Sequence, residues 1–217
     1  MISIIIWNIN PSNSTNETLT YLIFGNILFS LTLLNNHWRF SGDIFDGSLS
    51  SKLLVPNNVV GFYFFNSIAY SLRQSIVSLF YIPVLIYFSN KIEFNFNSLL
   101  YIILLIPLLV LVKFYFGQIV GGIGFWFKNS YGLMGFSETI LALLSGSLIP
   151  LFLFPNIFTS TFFAYTLHHP MQIYLGKYNQ TEIIQTFVGG IIWCVVLWTL
   201  ARLVFKAGLK KNEAVGL

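Results

Sequence analysis

Long apolar stretches separated by short polar connections dominate the sequence. Five of them approach or exceed the roughly 20 residues that a membrane-spanning helix needs, and they cover residues 19–35, 72–88, 99–116, 131–154 and 183–205. An apolar approach segment from residue 59 leads into the second stretch. Pro107 lies inside the third, where membrane helices tolerate a proline. This pattern predicts an all-α, polytopic membrane bundle of about five transmembrane helices plus short interfacial or re-entrant helices.

The connection between the fourth and fifth stretches, residues 155–181, is apolar and aromatic but interrupted. Pro155, Pro170 and Gly176 fall within it, and these residues end or bend regular elements. The connection therefore predicts short interfacial or re-entrant helices on the extracytoplasmic side. The chain as a whole is interpreted as one transmembrane domain over 1–217, closing with a cytoplasmic tail over 206–217.

Composition excludes a soluble protein. Hydrophobic residues make up 56% of the chain and charged residues only 8%, whereas soluble domains carry about 25% charged residues. Most charges lie between the apolar stretches, as expected when a charge at mid-membrane costs about 2.5–3.5 kcal/mol. The bases form no stripe, so the expected surroundings are membrane lipid and no nucleic acid. The single Cys194 excludes a disulfide framework.

The distribution of Lys and Arg predicts the orientation in the membrane, because cytoplasmic connections are enriched in these residues. With the carboxyl terminus in the cytoplasm, two bases lie outside, Lys91 and Lys177. The others then lie at or near the inner face: Arg39, Lys52, Arg73, Lys113, Lys128, Arg202, Lys206, Lys210 and Lys211. We therefore expect a multi-pass protein of the cell (cytoplasmic or inner) membrane with a cytoplasmic carboxyl terminus.

The connection after the first stretch carries signals of a short amphipathic helix over 41–54. Ser41 is a suitable N-cap, Lys52 would lie in the last turn, and Pro56 would end the helix. Apolar residues recur at roughly helical spacing: Ile44, Leu49 and Leu53. The spacing predicts a docking element along the inner face. An ordinary loop with one helical turn is about equally compatible with it.

Several segments, spread in order along the chain, match a known pattern. They are the loop Ile44-x-x-Gly47-x-Leu49-x-x-x-Leu53-x-x-Pro56, the glycine-rich residues 121–127, the run Leu144-Ser145-Gly146-Ser147-Leu148-Ile149-Pro150-Leu151, and residues 162–176 and 208–216. Together they resemble the type-2 ABC transporter permeases, in particular the branch whose small membrane domain is a separate chain.

The resemblance implies a permease that forms the translocation path with a second copy or a related sister chain, and it implies export as the direction of transport. Separate ABC ATPase subunits would use the ATP and dock on the cytoplasmic loop, at Ile44, Phe45, Gly47, Leu49 and Leu53. The chain itself has no Gly-x-x-x-x-Gly-Lys-Ser/Thr phosphate loop. Accordingly, no enzymatic activity, catalytic residue, cofactor or metal is expected in it.

The beginning of the chain departs from this family pattern. The family usually has six crossings with both ends in the cytoplasm, and residues 5–8 match the outer end of its first helix. The sequence is therefore expected to lack most of the first transmembrane helix, by truncation or by a misplaced start codon.

Glu138 is an acid about 10 Å into the fourth crossing, at a rise of about 1.5 Å per residue. Such a residue is either functional or part of a structural ion pair, and a pair with Arg73 is the favoured interpretation. Lys113 is expected to extend toward the lipid head groups. Small residues near the end of the fourth crossing predict a helix-packing contact or dimer seam: Ser145, Gly146, Ser147 and Pro150.

Two other functions remain open at this point. An intramembrane enzyme would use His168 or His169 with Glu138 or Glu182, although Glu138 is expected near the opposite face. A structural membrane subunit of a respiratory or organellar complex is suggested by the Ile, Phe and Asn bias.

Overall fold

The structure of the protein, a computed structural model, describes residues 15–55, 58–78, 83, 96–127, 130–148, 151 and 154–213. The described residues form α-helices and short 3-10 helices, which confirms the all-α prediction for this part of the chain. The α-helices are α1 (Thr15–Leu31), α2 (Asn36–Phe45), α3 (Ser48–Leu54), α4 (Val59–Ser78), α5 (Phe96–Gly122), α6 (Tyr131–Leu144), α7 (Phe162–Tyr165), α8 (His168–Tyr174) and α9 (Gln180–Glu213).

The long helices α5 and α9 pack against each other at the centre of the bundle. Within the described residues, two segments are long and apolar enough to cross a membrane, Ser98–Phe125 and Gln180–Lys211. Pro107 lies inside α5 without ending it, as predicted. One side of α9 exposes large apolar side chains: Ile184, Val188, Ile192, Val195 and Leu203. Such a face suits lipid or another apolar helix.

The fourth predicted crossing is shorter in the structure. The fourth was expected to continue to residue 154, but α6 ends at Leu144. Gly146 stops it with φ of 89°, and the amides of Gly146 and Ser147 bond back to the carbonyls of Leu143 and Ala142. This is a Schellman ending, in which glycine occupies the left-handed position. Residues 79–88 of the second stretch lie outside the described residues except Pro83, so a total of five crossings stays a prediction.

The predicted amphipathic helix over 41–54 is two helices in the structure. Helix α2 begins at Asn36, upstream of the expected cap Ser41, and α3 begins after Gly47. Gly47 has φ of 78°, a conformation that a side chain disfavours, and this reverses the chain between the helices. We call α2, Gly47 and α3 the hairpin. Lys52 lies in the last turn of α3 as expected, and Pro56 lies outside the described residues.

The connection over 155–181 forms short helices, as the sequence predicted: a 3-10 helix over Asn156–Ser160, then α7 and α8. Pro170 does not interrupt α8, because it lies in the first turn, where a missing amide proton costs no helical bond. Asn179 and Glu182 start α9 with reciprocal side-chain to backbone bonds of 2.9 and 2.8 Å, a capping box. The expected tail over 206–217 continues α9 as far as Glu213.

Two apolar clusters define the two ends of the bundle. The hairpin end holds Phe40, Leu49, Tyr63, Phe114 and Phe125, with Phe205 of α9 packed against them. The opposite end, which we call the cap end, holds Tyr21, Leu105, Leu167, Met171 and Tyr174. Here Lys177 forms a 2.7 Å ion pair with Glu17. Arg39 and Lys52 lie at the hairpin end and Lys177 at the cap end, the division that the charge pattern predicted.

Candidate functional site: the hairpin and the adjacent cavity

The hairpin exposes large apolar side chains at the end of α2 and at the end of α3. Phe45 is 62% exposed and Leu54 86% exposed, and Leu53 and Val55 are also exposed. We call these four residues the apolar tip. Exposed large apolar side chains are typical of surfaces that contact another protein or a membrane. The tip is therefore a surface suited to a protein partner or to lipid.

The residues expected to dock an ATPase divide into two groups. Phe45, Gly47 and Leu53 are exposed. Leu49, by contrast, is 0% exposed, and Ile44 is packed against the apolar cluster of the hairpin end. Sequence spacing alone did not distinguish these two faces, because a single straight helix was assumed. Leu49 and Ile44 hold the hairpin to the bundle, and only the first group faces outward.

A network of polar side chains centred on Asp43 braces the hairpin. The Asp43 carboxylate pairs with Lys52 of α3. It also accepts hydrogen bonds from the Ser48 hydroxyl at 2.9 Å and from the Tyr63 hydroxyl at 2.6 Å. Burial and the adjacent carboxylate raise the pKa of Tyr63, so this hydroxyl keeps its proton. One carboxylate thus connects α2, α3 and α4.

Asp46 fixes the start of α3. Its carboxylate accepts a 2.9 Å hydrogen bond from the Ser48 amide, and the hydrogen bonds from Ser48 lower the pKa of Asp46.

Arg39 of α2 donates to the Asn66 side chain at 2.9 Å and lies 5.4 Å from the ring centre of Phe62. These contacts hold the hairpin on α4.

Helix α2 also lies unusually close to α5. A Cβ atom on Gly121 would be 3.0 Å from the backbone of His37, and one on Gly117 would be 2.5 Å from the Asn36 side chain. The Asn36 amide donates a 2.9 Å hydrogen bond to the Phe114 carbonyl. These glycines allow close helix packing, and they fix the first turn of α2 on α5.

A cavity of about 550 Å³ opens beside this first turn. Its polar lining includes Thr32, Asn36, His37, Trp38, Lys113, Ser137, Glu138 and Thr139. Apolar residues complete it: Phe29, Leu33, Phe116, Leu141 and Ala142. The mixture of a cation, an acid and apolar walls suits a molecule with both polar and apolar parts.

The structure corrects the predicted partner of Glu138. The Glu138 carboxylate accepts a 2.6 Å hydrogen bond from the Trp38 indole and lies 3.0 Å from Nε2 of His37. Among the ion pairs of the described residues none joins Glu138 to Arg73, which is exposed on α4. The adjacent polar and aromatic residues at the start of α2 supply its partners because α2 packs beside α6. The run Asn35-Asn36-His37-Trp38 was the signal in the sequence.

Lys113 also differs from its expected role. It is only 4% exposed and donates a 2.6 Å hydrogen bond to the Thr32 hydroxyl. Its ammonium lies 4.4 Å from the ring centre of Phe29. The side chain therefore turns inward to the cavity instead of extending to the lipid head groups.

The small residues after α6 make a contact within the chain. Ser145 is fully buried, and the Gly146 carbonyl accepts a 3.1 Å hydrogen bond from the Tyr21 hydroxyl of α1. The helix-packing part of the prediction agrees with this arrangement. A dimer seam at Ser145 does not, because a buried side chain has no surface to offer a second copy. Pro150 lies outside the described residues, and Ser147 is partly buried.

The histidine pair lies at the cap end, away from Glu138. His169 Nδ1 lies 2.7 Å from the Tyr178 hydroxyl and its Nε2 lies 2.7 Å from the Thr159 carbonyl. Burial lowers the pKa of His168 to about 4 and also lowers the pKa of His169. A neutral His168 and a hydrogen-bonded His169 fit a structural role. Glu138 lies with His37 at the hairpin end, so the structure does not assemble a site from Glu138 and the histidine pair.

A family model described as "ABC-2 family transporter protein" matches residues 12–216. The chain belongs to the ABC-2 transporter family. This ABC-2 protein is thus a membrane transport permease, and the family is one of transport membrane subunits. The match confirms the resemblance that the loop and glycine motifs indicated. No curated protein and no solved structure shows significant similarity to the ABC-2 protein.

Proposed function

We propose that this ABC-2 protein is the membrane subunit of an ABC exporter of the cell membrane. Two copies, or this chain and a related one, form the translocation path, and separate ATPase subunits hydrolyse the ATP. The hairpin end faces the cytoplasm, together with the end of α9. Helices α1, α4 and α6 contribute to the remaining crossings. Family membership, the apolar exterior of α9 and the excess of bases at the hairpin end support this proposal.

The observation that carries the proposal is the apolar tip on a braced hairpin. An ATPase that transmits force needs a rigid element to push, and Asp43 links the three helices α2, α3 and α4 around one carboxylate. The tip presents Phe45 and Leu54 beyond this brace. In the proposed complex these side chains enter a groove of the ATPase, where burying each is worth about 1.5–3 kcal/mol.

Helix α2 then acts as the lever between the ATPase and the transport path. Its outer end carries Phe45 of the apolar tip, and its first turn forms a wall of the cavity through Asn36, His37 and Trp38. Glu138 ties this turn to α6, and the Asn36 amide ties it to α5. Rigid-body movement of α2 would change the distance between these helices and hence the shape of the cavity.

The docking proposal is tested with the variants Phe45→Asp and Leu54→Asp, each co-expressed and co-purified with a candidate ABC ATPase subunit. We expect at least a tenfold weaker association for each, because a carboxylate cannot enter an apolar groove without a partner. Thermal unfolding of the membrane subunit should change little, since both residues are exposed.

The matched control is Ile157→Asp, which changes a 71% exposed apolar residue at the cap end. It should leave ATPase association unchanged. Leu49 is unsuitable as a docking variant, because an acid at this buried position would unfold the hairpin. Undiminished association of both tip variants would refute docking at the tip.

A further inference from the structure

A second cavity, of about 340 Å³, lies between α5 and α9 near the hairpin end. Its walls are Asn58, Val60, Tyr115, Gln118, Trp198, Ala201, Arg202, Phe205 and Lys206. Arg202 and Lys206 are four residues apart on α9, so they lie on one face about 6 Å apart along the helix. The described residues that line this cavity include two cations and no acid.

The polar groups of this cavity are mostly hydrogen-bond donors. Gln118 is only 5% exposed, and its Nε2 atom lacks a hydrogen-bond partner. A buried donor without a partner costs about 1–3 kcal/mol unless something else accepts its protons. The amide thus requires an acceptor from outside the described chain, in a cavity whose charge is positive.

The position of the cavity on α9 indicates which kind of negatively charged molecule it would bind. Arg202 lies 4.0 Å from the ring centre of Trp198, which holds the guanidinium at the wall. Tryptophan and basic residues near the end of an apolar helix are typical of the lipid head-group layer. The same part of α9 also carries the exposed apolar residues Leu200 and Leu203.

From these observations we propose that the cavity binds the phosphate head group of an anionic phospholipid. The Arg202 guanidinium and the Lys206 ammonium pair with the phosphate, and the Gln118 amide donates to one of its oxygens. The acyl chains lie along the apolar exterior of α9. Basic pockets between membrane helices are suited to such head groups. This site is separate from the cavity beside Lys113, and it does not depend on the proposed ATPase docking.

The test is native mass spectrometry of the full-length chain with dioleoyl phosphatidylglycerol, with dioleoyl phosphatidylcholine, and with inorganic phosphate alone. We expect one phosphatidylglycerol to be retained more strongly than phosphatidylcholine, and no retained inorganic phosphate. The double variant Arg202→Gln/Lys206→Gln should weaken retention about tenfold or more. Gln118→Leu, which leaves the charge unchanged, should weaken it about fivefold.

Lys210→Gln/Lys211→Gln is the matched control, since it removes two positive charges from the exposed end of the same helix. It should change retention by less than about twofold. Equal losses in the two double variants would show general attraction to a basic helix end and would overturn the site. Retention of phosphatidylglycerol by Gln118→Leu at the original level would refute the role of the Gln118 amide. Retention of inorganic phosphate as strong as that of the lipid would refute lipid binding and would indicate a site for free anions.

Discussion

At the scale of single residues, the role of each polar side chain depends on the hydrogen-bond partner that the fold places beside it. The residues next to Glu138 in the sequence do not indicate its partner. In the structure its carboxylate accepts a hydrogen bond from the Trp38 indole and contacts His37. Lys113 likewise turns to Thr32. In an apolar environment a polar group takes whichever partner the packing brings near, since leaving it without one is costly. These residues join α2, α5 and α6 around the first cavity.

We predict that Glu138→Gln loosens α2 without unfolding the protein. Glutamine keeps the shape but loses the charge that strengthens both contacts, a loss of about 1 kcal/mol or more. Amide hydrogen exchange of residues 36–45 should accelerate about fivefold. Glu182→Gln makes the same chemical change at the cap end, and it should leave exchange in 36–45 unaltered. Unchanged exchange in Glu138→Gln would show that the lever is held without this carboxylate.

At the scale of elements, glycines decide how closely helices approach and where they end. Gly47 and Gly146, both with positive φ, break stretches that the hydrophobic pattern presents as continuous. Gly121 instead allows α2 to rest on α5, with the His37 backbone 3.0 Å from where a Cβ would lie. Glycine thus ends a helix at some positions and allows two helices to pack closely at another, according to its surroundings.

Gly121→Ala should destabilise the protein by about 1–3 kcal/mol, because the obstructing atoms belong to backbone and cannot rotate away. Thermal unfolding in detergent measures this. Gly135→Ala is the control, since nothing lies within 4 Å of its added Cβ. It should be neutral or stabilising by up to about 1 kcal/mol, as alanine favours helix. Equal midpoints for the two variants would contradict close α2–α5 packing.

At the scale of the whole molecule, the two ends have different chemistry. The hairpin end combines an apolar tip with a charged brace, whereas the cap end is closed by short helices, partly buried histidines and the Glu17–Lys177 pair. The long helices α5 and α9 connect them. This polarity fits a protein that receives force at one end and shields its interior at the other.

Acidification should weaken the cap end first. The pKa of His168 falls from 6.5 to about 4 on folding, so between these values the unfolded chain binds more protons and stability falls as pH falls. The contribution is fully present above about pH 6.5 and amounts to at most about 3 kcal/mol. His169 acts in the same direction. Thermal unfolding at pH 7.5 and pH 5 measures the effect.

The double variant His168→Gln/His169→Gln should show a smaller change between these two pH values than the original protein. Asp46 does not interfere, because its lowered pKa places its titration below this range. An equal loss of stability in the double variant would assign the acid sensitivity to other groups.

The sequence by itself determined the all-α membrane architecture and the family, because apolar stretches cannot dissolve in water and the loop motifs are local in the chain. It also placed a short amphipathic segment over 41–54, and docking at that segment stays a prediction. Only the tertiary structure decided that Leu49 is buried while Phe45 is exposed, that Glu138 joins His37 and Trp38, and that Lys113 faces a cavity. Those outcomes depend on contacts between residues as many as 101 positions apart in the sequence. The spacing of apolar residues within one helix does not specify which of its faces packs against which other helix.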